Sequence, residues 1–146
     1  MQTTINFDQD DVKIMAKTLF GEARGEVKSV GIDALKAVGN CIINRYCEQT
    51  WYGKNIKEIC LKPFQFSCWN KTDPNYPLLM KEIRLNALFD LCLDVSLGLL
   101  TQPLSTHQTT DLTFGSNHYH AQGILPHWAK TAKQMTRIGH HLFYKL

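Results

Sequence analysis

No stretch of this chain is apolar over the roughly 18–20 residues that a membrane span needs, so a transmembrane helix is excluded at the outset. The segment from Met1 to Asp8 carries neither a basic n-region nor an apolar h-region, so a Sec signal peptide is not expected. Charge is sparse: charged residues make up 20% and the formal net charge is +3. No dense Lys/Arg stripe accompanies it, so the mild basicity suits an anionic polymer without selecting one. The five cysteines, Cys41, Cys47, Cys60, Cys68 and Cys92, are odd in number and form no CxxC pair. That argues against a zinc ribbon and against a disulfide framework. No HExxH motif, internal repeat or low-complexity tract occurs.

What is present is a globular composition. Hydrophobic residues make up 44% of 146, enough for one folded domain over residues 1–146 with a real core. Val12, Met15, Ala16, Leu19 and Phe20 follow an i, i+3, i+4, i+7, i+8 pattern. It predicts a helix from about Asp8 or Asp10 to Phe20 or beyond, with Asp8 or Gln9 at its N-cap. A second helix is predicted from Ser29 to Tyr46 and a long buried one from Leu78 to Leu99. Phe64 to Trp69 alternates as a strand would, with the Phe rings on one face and Gln65, Ser67 and Trp69 on the other. Thr101 to Ser116 reads as a loop. Asn117 to His120 reads as a short extended piece, Pro126 to Met135 as a helix, and Ile138 to Tyr144 as an apolar end. Cys41 and Cys92 fall in apolar stripes and read as small core residues. The fold class expected is α+β, mostly α, with a small β element.

Glu22 is the sharpest candidate for chemistry. It stands where the first helix should end, flanked by the small residues Gly21 and Ala23. A carboxylate at the rim of a core loses water on one side and stays reachable on the other. Partial desolvation raises a carboxyl pKa and suits a Glu to proton donation. The plainer reading is a helix-terminal Glu paired with Arg24 or Arg45. Glu26, four residues on, would share its face if the helix continued, as a second acid or an orienting partner. His118 and His120 would point the same way in a strand and could hold a metal with a third ligand, or line a hydrogen-bonding cleft. Tyr119 would then face the core. Asn44-Arg45, at the end of the second helix, reads as structural.

Taken together, five blocks carry a resemblance. They are Phe20-Gly21-Glu22-Ala23-Arg24-Gly25-Glu26, Ala37 to Arg45, Pro63 to Trp69, His118-Tyr119-His120 with Trp128, and Ile138-Gly139-His140-His141-Leu142-Phe143-Tyr144. In this order they resemble the cell wall hydrolase family that includes the catalytic domain of the spore cortex-lytic enzyme SleB, over about residues 11 to 144. The resemblance implies a lysozyme-like fold with a cleft and one essential Glu, here Glu22. It implies cleavage of the β-1,4 bond between N-acetylmuramic acid and N-acetylglucosamine in peptidoglycan, as a lytic transglycosylase. Glu22 would act as general acid and then base. Gln65, Ser67, His118 and His120 would hold the sugar, with Trp69 and Tyr119 as stacking surfaces.

No cofactor and no metal are implied. The partner is the peptidoglycan glycan strand, not nucleic acid, and a monomer is expected. Relatives often carry a signal sequence or a wall-binding repeat. This chain shows neither, so synthesis in the cytoplasm and access to the wall by a phage-like or specialised route, as for an endolysin, are expected. The competing readings are a metal-dependent wall amidase or peptidase using His118 and His120, and a non-catalytic glycan-binding module.

Overall fold

The computed structural model describes residues 2–146. Helix α1, Gln9–Ala23, begins with a reciprocal cap: Asp8 Oδ1 accepts from Asp11 N at 2.9 Å, and Asp11 Oδ2 accepts from Asp8 N at 3.0 Å. Met15, Ala16, Leu19, Phe20 and Ala23 form its buried stripe. A short helix α2, Val27–Val30, follows, and α3 spans Asp33–Glu48. Helix α4, Ile56–Leu61, is capped by Asn55, and Asp11 Oδ1 reaches across to accept from Lys57 N at 2.9 Å. Helices α5, Tyr76–Leu79, α6, Ala87–Thr101, and α7, Leu104–Thr110, complete the helical part.

The main core lies between α1, α3, α4 and α6, with Phe20 meeting Phe89 edge-on at 5.7 Å. The small sheet is antiparallel in the order β1-β3-β2, from β1, His118–Ala121, β2, Lys133–Ile138, and β3, His141–Lys145. It packs on α3 through Phe143, which joins Ala37 and Cys41 in a second buried cluster flanked by Tyr119 and Ile138. The class is therefore α+β and mostly helical, as the sequence predicts.

Several boundaries differ from expectation, each for a local reason. The first helix runs through Glu22 to Ala23. The second helix is interrupted at Gly31, whose φ of 71° lies in the left-handed region that only glycine adopts freely. The long helix predicted from Leu78 is two helices, because Leu85 turns left-handed and Asn86 restarts α6 by accepting from Phe89 N at 2.9 Å. The predicted loop from Thr101 contains α7. The helix predicted from Pro126 is a 3-10 turn, His127–Lys130, followed by β2, whose pairing with β3 overrides its helical pattern. The strand predicted from Phe64 to Trp69 does not form. Gln65 N closes a turn on Lys62 O, Phe64 takes φ 64°, and Ser67–Trp69 is a 3-10 turn. Phe66 is buried while Phe64 is exposed, so the two rings do not share a face.

Asp11 caps α1 and also satisfies the Lys57 amide, whereas Asp8 serves only the cap. Asp8→Ala should cost about 1 kcal/mol, a typical cap loss. Asp11→Ala should cost about 2 kcal/mol or more, since it also strips Lys57 N of its acceptor. Urea unfolding of the two variants checks the order.

Candidate active site

One face of α1 builds the site. Thr18, Gly21 and Glu22 stand at i, i+3 and i+4 and therefore lie side by side. Against them packs the 3-10 turn Ser67–Trp69. Trp69 Nε1 donates to Thr18 Oγ1 at 2.9 Å. At Gly21 a Cβ would stand 2.6 Å from Cys68 Cβ, so only glycine admits this approach. The close contact brings Cys68 N within 3.0 Å of Glu22 Oε2, to which it donates, and Ser67 Oγ to 3.3 Å of the same oxygen. From the other side Tyr119 donates its hydroxyl to Glu22 Oε1. Glu22 itself is half-buried.

All three donors are neutral. Arg24 turns away, donating to Phe20 O at 2.8 Å and to Asn75 Oδ1. Arg45 is buried between the Tyr52 and Phe66 rings, donating to Asn117 O at 2.7 Å and Gln65 Oε1 at 3.3 Å. No salt bridge to Glu22 occurs among the described residues. Burial lifts the Tyr119 phenol well above its ordinary range, and the adjacent Glu22 carboxylate lifts it further. Tyr119 is thus a fixed O–H donor. The Cys68 thiol is raised for the same two reasons, and burial pushes Cys41, Cys60 and Cys92 up to about 12. These are core thiols, not nucleophiles. All five cysteines are free.

Glu26 has a different setting. At Ala23 the chain leaves α-helical geometry, with φ −133° and ψ −2°, and Glu26 swings to the β2–β3 turn. Its Oε1 accepts from His140 N at 2.9 Å, and both its oxygens lie 3.0 Å from His140 Nδ1. Burial raises its pKa, but the bonds from His140 outweigh that and leave it below the ordinary range.

The remaining residues divide between the two faces of β1. Tyr119 points to Glu22, while His118 and His120 point to the opposite face. There His118 meets Trp128 at 4.9 Å, and His120 stacks on Tyr144 at 5.2 Å. His120 Nδ1 lies 2.8 Å from Ala121 O, which only accepts, so Nδ1 carries the proton and Nε2 faces the Tyr144 hydroxyl at 3.0 Å. Burial, then Arg45, pushes the His118 imidazole down to about 4. Among the described residues no group of three or more His, Cys, Asp or Glu side chains is placed to hold a metal. The structure thus gathers Glu22, Ser67 and Tyr119, sets Gln65 on Arg45 and Trp69 on Thr18, and leaves His118 and His120 on the outer face.

Two groups near Glu22 escape the sequence reading. The Cys68 amide leaves no signal in a side-chain pattern. His141 does leave one: it shares a strand face with Phe143 and lies 5.0 Å from the Tyr119 ring. Burial lowers its pKa, partly offset by Glu26 and Glu22.

The geometry thus sets a half-buried Glu near the end of α1 against the small sheet. The family model for cell wall hydrolases matches residues 31–144, and the chain belongs to that family. It is an enzyme that acts on peptidoglycan. No curated protein sequence matches it significantly. Two solved structures share its fold. One is the catalytic domain of the germination-specific lytic transglycosylase SleB from Bacillus anthracis, at TM-score 0.66 and 20% identity, covering 96% of this chain and 98% of that one. The other is the catalytic domain of Bacillus cereus SleB, at TM-score 0.66 and 19% identity, covering 98% and 95%.

The burial of His107, His118 and His141 has a consequence for pH. Each has a folded pKa below the ordinary 6.5, so the unfolded chain binds protons that the folded chain does not. Stability is therefore full above about 6.5 and falls as pH drops toward 4. The melting temperature should decline across that window, and His118→Gln should flatten the decline. Thermal melts at half-unit pH steps check this.

Proposed function

We propose that the enzyme is a glycosidase that cuts the β-1,4 bond between N-acetylmuramic acid and N-acetylglucosamine, with Glu22 as its single acid and base. The observation that carries this reading is the isolation of Glu22: half-buried, fixed by neutral donors, with no cation and no second carboxylate bonded to it among the described residues. Ser67 makes the longest of the three bonds and is exposed. The glycosidic oxygen would displace Ser67 from Oε2 and take the proton there. Tyr119 and Cys68 N–H would then hold the carboxylate that results.

The charge on that carboxylate stabilises the oxocarbenium-like sugar. The same group next takes the proton of the muramoyl C6 hydroxyl as that oxygen bonds to C1. The product is a 1,6-anhydromuramoyl end, and neither water nor a carboxylate nucleophile is consumed. Schemes that use two carboxylates need a second acid free to act. Glu26 is engaged by His140, which favours the one-carboxylate route.

Mass spectrometry of fragments released from purified peptidoglycan tests the reading. Wild type should release anhydromuropeptides. Glu22→Gln should lose at least about 100-fold in rate while keeping its fold, because a positioned proton donor is worth that much. Reducing muramic ends would mean hydrolysis by water and sink the transglycosylase step. Retained lysis by a folded Glu22→Gln protein would sink the role of Glu22. No fragments from wild type would leave a binding module.

Tyr119→Phe keeps the ring that packs on Phe66, His141 and Phe143 and removes only the donor to Oε1. A hydrogen bond to a charged group is worth about 1.5–3 kcal/mol, so turnover should fall about 10- to 100-fold. An unchanged rate of fragment release would remove Tyr119 from the machinery.

A further inference from the structure

Phe64 is 86% exposed, yet it sits at φ 64°, a left-handed conformation that a bulky L-residue rarely adopts. A lone exposed apolar side chain is ordinary on a protein surface and needs no reason. A bulky one held in strained backbone does, since such strain persists where the surroundings impose it and gathers at ligand sites. The surroundings here are rigid. Pro63 fixes the residue before, Gln65 N closes the turn on Lys62 O at 3.1 Å, and Gln65 Oε1 is held by Arg45. Phe66 is buried between the Arg45 guanidinium, 4.9 Å from its ring, and Tyr119 at 6.3 Å.

The same segment supplies both Ser67 and Cys68 to Glu22. Three peptide units part Phe64 from Ser67, so their Cα atoms are at most about 11 Å apart. Leu85 and Phe114 are also exposed at positive φ, but their segments bring no group to Glu22. Among the described residues only Phe64 combines strain, exposure and a short rigid tether to the candidate catalytic carboxylate.

We propose that Phe64 is a sugar-stacking platform: its ring packs on the apolar C–H face of a pyranose of the glycan strand, one subsite away from the cleaved bond. A polymer lying across Glu22 extends past the Gln65–Trp69 wall, and an aromatic face there is wetted by water until a sugar covers it. The platform rests on the glycosidase reading and adds a binding role to a residue that does no chemistry.

The test uses the full chain with Phe64→Gly, Phe64→Tyr and Glu22→Gln. Glycine adopts φ 64° without strain, so Phe64→Gly should melt at or above the wild-type temperature. It should nevertheless raise KM on soluble glycan fragments of peptidoglycan on the order of 10-fold, with kcat little changed, as expected for the loss of one aromatic contact. Phe64→Tyr should keep the wild-type KM. A residue with only a structural role would change stability and leave KM alone. Unchanged KM in Phe64→Gly, with Glu22→Gln inactive, would overturn the platform and leave the glycosidase reading standing. A wild type that neither binds nor cleaves the glycan would overturn both.

Discussion

The structure turns on one carboxylate shared by three separate segments. Glu22 comes from α1, the Cys68 amide lies 46 residues further along, and the Tyr119 hydroxyl lies 97 residues further along. Those bonds join the helical core, the turn after α4 and the edge strand of the sheet at a single point. A hydrogen bond to a charged acceptor is shorter and stronger than one between neutral groups, so this junction also fixes the orientation of the Glu22 carboxylate. The supports stand behind it. The α1 stripe is anchored in the core, Gly21 lets the Ser67–Trp69 turn come close, and Arg45 holds the carbonyl of Asn117 just before β1.

Arg45 shows how the sheet is aimed. It is a buried cation with no carboxylate on it among the described residues, satisfied by a carbonyl, an amide oxygen and two aromatic faces. Next to it Asn44 binds Asp111 Oδ2 and Ser116 O at 2.9 and 2.8 Å. Two neighbouring residues at the end of α3 therefore clamp the chain entering β1. With β1 fixed in register against β3, Tyr119 has one side to face, and that side holds Glu22. The structural reading of Asn44 and Arg45 from sequence agrees with these contacts, although the partners are not those the sequence suggested.

How much of this the sequence disclosed follows from the range of each interaction. The stripe of α1, the Asp8 cap and the alternation that opposes Tyr119 to His118 and His120 are local patterns, and a reader of the sequence finds them. Alternation even placed Tyr119 toward the core. It did not say that the Glu22 carboxylate waits there, because that meeting spans 97 residues. Phe64 to Trp69 shows the opposite failure. The apolar alternation of a strand is present, but a left-handed Phe64 and a 3-10 turn satisfy the same burial of Phe66 and Cys68 without a strand. Burial parity does not fix backbone conformation when the segment has no neighbouring strand to pair with. The Cys68 amide donor was illegible for the same reason that every backbone donor is: it has no side-chain signature.

The spacing of Glu22 and Glu26 carries the last step. Four residues apart on a continuous helix, the two carboxylates would sit about one turn apart on one face and repel or share protons. The break after Ala23 prevents that. It sends Glu26 to the Gly139–His140 turn, where it accepts a backbone amide and sits against the His140 ring, and it leaves Glu22 alone with neutral donors. One carboxylate thereby ties the sheet to the helix, while the other carries only neutral donors among the described residues. For Glu26 to act as nucleophile or base it would first have to release the β2–β3 turn, and the hairpin it steadies includes the strand that pairs with β1 and so aims Tyr119 at Glu22. The division of labour is thus built into the backbone. The proposed reaction, carried by a single Glu with the attacking oxygen supplied by the sugar itself, draws its support from that division.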